Sequence, residues 1–170
     1  MERVFYGLKE QLSDYPLFLM GRGRLDVISS FRRSGNGVLF ASDSAGEGID
    51  LAGDILSSLI VVKLPFPVPD PVMEYQRNLY EDFDLYRRDT IIPEMLIKLR
   101  QWFGRGIRRE KDTAVFSILD SRASLRGRYR TEILNTLPTM PVTDRLMDVA
   151  DFIIRKKADS YFMDKEWNEE

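Results

Sequence analysis

The sequence contains no cysteine and no histidine. Without thiolates the chain has no disulfide framework, no thiolate zinc site and no cysteine-held iron–sulfur cluster of its own. Lacking imidazole, it also lacks the commonest general base and metal ligand, which excludes Ser-His-Asp and Cys-His catalysis. No apolar run approaches the roughly 18 residues of a membrane span and no secretory h-region is visible, so the expected compartment is the cytoplasm, with no membrane partner. Internal repeats and low-complexity linkers are absent too.

What is present suits one ordinary globular domain: 170 residues, 44% hydrophobic and 31% charged, enough to bury a core. The formal net charge of −2 hides a segregation. Residues 98–130 carry ten Lys or Arg against three Asp or Glu, whereas residues 66–94 carry seven acids against three bases. A local field of this kind, not the net charge, steers a polyanion, although two neighbouring helices that pair with each other would show the same pattern.

Periodicity predicts helix over 2–13 (Val4, Phe5, Leu8, Leu12), strand over 16–20, helix from Leu25 to about Ser34, and strand over 37–41. A buried strand follows at 59–64. Prolines 65, 67 and 69 then force an extended path. Further helices are expected over 71–83, 93–109, 123–136 and 143–158, the last capped by Thr143 or Asp144, with a strand at 113–119 and a loop at 84–89. Strands separated by helices indicate an α/β fold, a parallel sheet with helices on both faces.

Two stretches carry chemistry. In a helix over 93–109, Gln101, Arg105 and Arg108 fall at i, i+4 and i+7, placing two guanidiniums and an amide on one face. Arginine keeps its charge at any working pH and offers a planar fork of donors that matches phosphate oxygens; the alternative is a solvated basic face. Upstream, Ser42-Asp43-Ser44-Ala45-Gly46-Glu47-Gly48-Ile49-Asp50 follows the end of a strand, where open parallel sheets place ligand-binding loops. Gly46 and Gly48 permit close ligand approach. The turn Gly21-Arg22-Gly23-Arg24 before a helix can cradle phosphate on backbone amides, or simply connect two elements.

At these stretches the sequence resembles the second motor domain of superfamily 2 helicases, most closely the DinG/XPD type. The loop 42–50, with Glu47-Gly48-Ile49-Asp50 at its core, looks like that family's motif V. Gln101-Trp102-Phe103-Gly104-Arg105-Gly106-Ile107-Arg108 looks like its motif VI. The run Val62-Lys63-Leu64-Pro65-Phe66-Pro67-Val68-Pro69 is similar to the segment that follows motif V in the DinG branch. Asp120 and Arg122 resemble the aspartate–arginine pairing that ends the next strand and braces the fold. The likeness covers most of residues 16–138.

The resemblance implies a RecA-like, P-loop NTPase-type domain spanning 1–170. Such domains open with a buried strand that is not seen here, so the chain is expected to be a fragment of a larger helicase. No Gly-x-x-x-x-Gly-Lys-Ser/Thr cradle and no acidic magnesium box occur in these residues. The resemblance therefore implies that ATP and Mg²⁺ are held mainly by an N-terminal motor domain of the same protein, that this chain holds no metal, and that it is inactive alone. Arg105 and Arg108 would act as catalytic finger arginines, with Gln101, Glu47, Gly48 and Asp50 on the ATP side. Single-stranded DNA would meet Ser42, Ser44, Arg22 and Arg24. The alternative is a non-catalytic regulatory module of doubly wound fold that binds a nucleotide or a protein.

Overall fold

A computed structural model of the protein describes residues 2–21, 25–42, 51, 55–107 and 112–161. The chain divides into two compact units, Met1–Leu51 with Ala158–Glu170, and Ala52–Lys157.

In the first unit, α1 spans Glu2–Leu8. It stops earlier than the apolar spacing to Leu12 predicts, although Leu12 N–H still donates to Leu8 O at 3.0 Å in the turn that follows. Phe5 on α1 meets Phe40 edge to face, ring centroids 5.4 Å apart. Strand β1 (Leu17–Leu19) is joined through α2 (Leu25–Ser34) to β2 (Val38–Phe40). The strands pair in parallel, Leu17 with Val38 and Leu19 with Phe40, an arrangement that needs a crossover as long as the one through α2. Ile28 and Phe31 on α2 are buried, and Phe31 packs edge to face on Phe18 of β1. Gly35 ends α2 in the left-handed region, φ 73°, where a Cβ would be strained. At Gly37 a Cβ would lie 2.4 Å from Ser34 Oγ and 2.6 Å from the Phe18 ring, so only glycine lets the chain pass into β2.

In the second unit, β3 (Ser58–Val61) pairs in parallel with β4 (Val115–Ile118), Ser58 opposite Val115 and Val61 opposite Ile118. The described strands thus form two parallel pairs. Between β3 and β4 run α3 (Pro71–Arg77), α4 (Phe83–Tyr86), a π-turn (Arg87–Ile91) and α5 (Ile92–Gly106). Asp70 caps α3 by accepting from Met73 N–H at 2.8 Å, with Pro71 pre-set for the first turn.

Residues 84–89, expected as a loop, are helical. Asp82 caps them through Asp84 N–H at 2.9 Å, Arg87 pairs with Asp84 at 2.9 Å, and buried Tyr86 donates its hydroxyl to Met73 O at 3.1 Å. Burial, with Glu94 and Asp70 nearby, pushes the Tyr86 phenol up, so it remains a neutral donor. Downstream, Ile92 N–H reaches back five residues to Arg87 O. That wider turn, which ends at Ile91 two residues before Pro93, relieves the clash a proline ring makes inside an α-helix.

After β4 come a 3-10 turn (Ser121–Ala123), α6 (Arg130–Thr136) and α7 (Leu146–Lys156). The helix expected over 123–136 starts only at Arg130. At Gly127 a Cβ would stand 2.3 Å from Arg122 O, so the chain folds back on the 3-10 turn before it can coil, leaving Arg126 and Arg128 outside the helix. The last helix begins at Leu146 after Arg145, whose side chain makes no cap bond. Thr143 instead accepts from Arg145 N–H and bonds Asp148, acting just before the helix. The far end of α7 is anchored by buried Lys157, whose Nζ donates to Thr113 O at 2.6 Å. Val61, Leu64, Met95, Leu99, Tyr129, Ile133 and Leu137 form the core of this unit.

Candidate nucleotide and nucleic-acid interface

The candidate site is built on α5. Its apolar residues recur at helical spacing, so Met95 and Leu99 are completely buried while Gln101 is exposed. Phe103 packs edge to face on Phe116 of β4 at 5.5 Å, and buried Gly106 lets the helix end lie close to Ala114, whose Cβ a glycine Cβ would approach to 3.2 Å. Gln101 and Arg105, one turn apart, share a face. Arg105 sits in the last turn, where a cation complements the helix dipole; it is half-buried and engaged with another group of the protein.

The helix ends at Gly106, and Ile107 is extended with φ −129° and ψ 101°. The expected helix to residue 109 is therefore too long, and among the described residues its face carries Gln101 and Arg105. Arg108 lies outside the described residues. So do Arg22, Arg24, Ser44, Glu47, Gly48 and Asp50. Ser42 is exposed just beyond the C-terminal end of β2, the position at which parallel sheets present ligand loops. It belongs to the first unit, Gln101 and Arg105 to the second.

Asp120 and Arg122 form a pair as expected, with Arg122 Nη2 2.7 Å from Asp120 Oδ2. The sequence gives no sign of the pair's third member. Arg122 lies over the ring of Phe66, 4.5 Å from its centroid, a contact between distant positions that no local spacing reports. Among the described residues no acidic cluster is arranged to hold a metal ion, and no helix is long and apolar enough to cross a membrane.

Residues 1–140 match the family described as Helicase C-terminal domain. The chain belongs to that family, and its short parallel strands interleaved with helices are those of an α/β, RecA-like fragment. Among named proteins, it is 34% identical over 143 residues to "ATP-dependent DNA helicase YoaA" of Escherichia coli (strain K12), covering 81% of this chain and 22% of that protein. It is 28% identical over 151 residues to "3'-5' exonuclease DinG" of Bacillus subtilis (strain 168), 85% of this chain and 16% of the relative. With "ATP-dependent DNA helicase DinG" of Photobacterium profundum it shares 41% over 103 residues, 59% of this chain and 15% of the relative. The chain thus spans between 15% and 22% of the length of these relatives.

Proposed function

We propose that residues 1–170 form the C-terminal motor domain of an ATP-dependent DNA helicase, completed by an N-terminal motor domain of the same protein. In this reading the N-terminal domain holds the triphosphate and Mg²⁺. This chain supplies Arg105 and Arg108 as finger arginines toward the γ-phosphate, with Gln101, Glu47, Gly48 and Asp50 beside the nucleotide. Single-stranded DNA meets Ser42, Ser44, Arg22 and Arg24 at the C-terminal ends of the strands. The observation that carries the reading is Arg105 sharing a face with exposed Gln101 on a helix fixed by completely buried Met95 and Leu99, within a chain of the helicase C-terminal family. Catalysis of phosphoryl transfer is mostly positioning and charge stabilisation, and a helix anchored this way holds a guanidinium in place.

The test compares the 170-residue chain with the complete protein that carries it. The complete protein hydrolyses ATP faster when single-stranded DNA is added, and the chain alone does not hydrolyse ATP above background. Hydrolysis by the chain alone would overturn this division of labour.

A further inference from the structure

Helix α7 (Leu146–Lys156) lies beyond the residues that match the helicase family. Val149, Phe152 and Ile153 are half-buried on its inner side, yet none of its residues is buried. Leu146 is 86% exposed, Met147 67% and Ile154 64%. Leu146, Ala150 and Ile154 recur at i, i+4 and i+8, so they form one stripe, with Met147 beside it and the small Ala150 at its middle. An amphipathic surface helix turns its apolar stripe toward a core. Here a second apolar stripe faces solvent.

Charge is ordered along the same helix. Asp144 and Asp151 stand on the side of its start, Arg155 and Lys156 at its end. Asp148 is already engaged by Thr143 and Arg145, and Arg155 Nε donates to Asp151 O at 3.1 Å, on the helix's own backbone. Among the described residues no ion pair takes up Asp144, Asp151, Arg155 or Lys156. Acids first and bases last suit the helix dipole, and the same order makes the helix complementary to an inverted copy of itself. With Ala150 at the crossing point, an antiparallel copy sets Leu146 opposite Ile154 of the second copy and brings Asp144 near its Arg155. A parallel copy would set acid on acid and base on base. In a two-fold pairing both copies use the same patch, so each of these contacts occurs twice.

We propose that this face of α7 docks a second copy of the chain, as an antiparallel helix pair centred on Ala150. Leu146, Met147 and Ile154 of each copy make a patch smaller than a permanent interface, so the pair forms and separates with concentration. The pairing involves α7 alone and makes no use of nucleotide or DNA, so its failure leaves the helicase reading untouched.

Sedimentation equilibrium of the 170-residue chain tests the pairing, with melting curves to check that each variant is folded. The mean mass of the unaltered chain rises with concentration toward that of two copies. Leu146→Glu, at an exposed position, weakens the association about tenfold or more. Asp144→Lys, which sets like charges together twice, weakens it about tenfold, and the double variant Asp144→Lys with Arg155→Glu restores it to within about threefold. Because the chain has no cysteine, Ala150→Cys supplies a single thiol at the crossing point, and a short bismaleimide links two such copies. Gln76→Cys, exposed on α3, stays unlinked. A mass of one copy at every concentration means that something other than a second copy covers the stripe, such as another part of the complete protein, and overturns the pairing. So does association unmoved by Leu146→Glu, equal linking at positions 150 and 76, or a double variant no tighter than Asp144→Lys alone.

Discussion

Asp120 and Arg122 meet through two hydrogen bonds, Nε to Oδ1 at 2.9 Å and Nη2 to Oδ2 at 2.7 Å. The same carboxylate accepts from Leu64 N–H at 3.0 Å, across 56 positions of sequence, and from Arg122 N–H at 3.0 Å. One buried side chain thus ties the segment after β3 to the end of β4, and the arginine it orients covers Phe66. The pair braces the core of the second unit beside α5.

Replacing Asp120 by alanine strands the buried Leu64 amide and loosens Arg122, and the expected cost is about 2 kcal/mol. Urea unfolding of Asp120→Ala measures it. The control is Asp89→Ala, which removes the exposed pair with Arg88 and is expected to leave the unfolding midpoint essentially unchanged, since water and salt screen such a pair. Equal losses in the two variants would deny Asp120 its bracing role.

Acid should act through the same carboxylate. The Arg122 guanidinium, and then the Leu64 and Arg122 amides, hold Asp120 far below the usual carboxylate range against its own desolvation. A folded value lower than the unfolded value of about 3.9 stabilises the fold above that pH and ceases to do so as pH falls through it toward the folded value. Thermal melts at successive pH values should show Asp120→Asn losing less stability than the unaltered chain below about pH 4. Parallel curves would contradict the linkage.

Gly127→Ala tests the fold-back that precedes α6. Its Cβ would sit 2.3 Å from Arg122 O and 2.7 Å from Ser124 N, both backbone atoms that cannot rotate away. The expected loss is about 1–3 kcal/mol, read as a lower melting temperature. Gly104→Ala, where a Cβ meets nothing within 4 Å, should be neutral or slightly stabilising because alanine is the better helix former. Similar melts for the two variants would place the constraint elsewhere.

In the complete protein, Arg108→Ala should lower DNA-stimulated ATP hydrolysis by about 10³ to 10⁵, or about 4 to 7 kcal/mol of barrier, while nucleotide binding persists. Arg105→Ala is expected to act in the same direction. Since Arg105 is half-buried and already engaged, its variant is checked by a melting curve alongside the kinetics. A loss below tenfold in both variants would remove the finger role.

Much of this molecule was legible in the chain because the signals are local. The 3.6-residue spacing of Met95, Leu99 and Phe103 marks α5 and its buried stripe. Asp70 before Pro71 marks the start of α3, and Ser34-Gly35 the end of α2. The glycine-rich acidic loop and the Gln101 to Arg108 run point to the helicase family without any coordinates. The boundaries that went astray depend on partners far along the chain. Residues 84–89 look like a loop by composition, yet Tyr86 is buried with its hydroxyl on Met73 O, and that contact holds them helical. Position 108 fits the helical repeat by counting, but the chain leaves the helix at Ile107 after Gly106 packs against Ala114.

By itself, then, the sequence determined the alternation of helices and parallel strands, the absence of thiol and imidazole chemistry, and the pairing of Gln101 with Arg105, since composition and the helical repeat act within a few residues. Tertiary structure alone decided where α5 stops and which carboxylate holds Leu64. Those outcomes are set by packing between segments dozens of positions apart, and no local pattern records the contact energies that fix them.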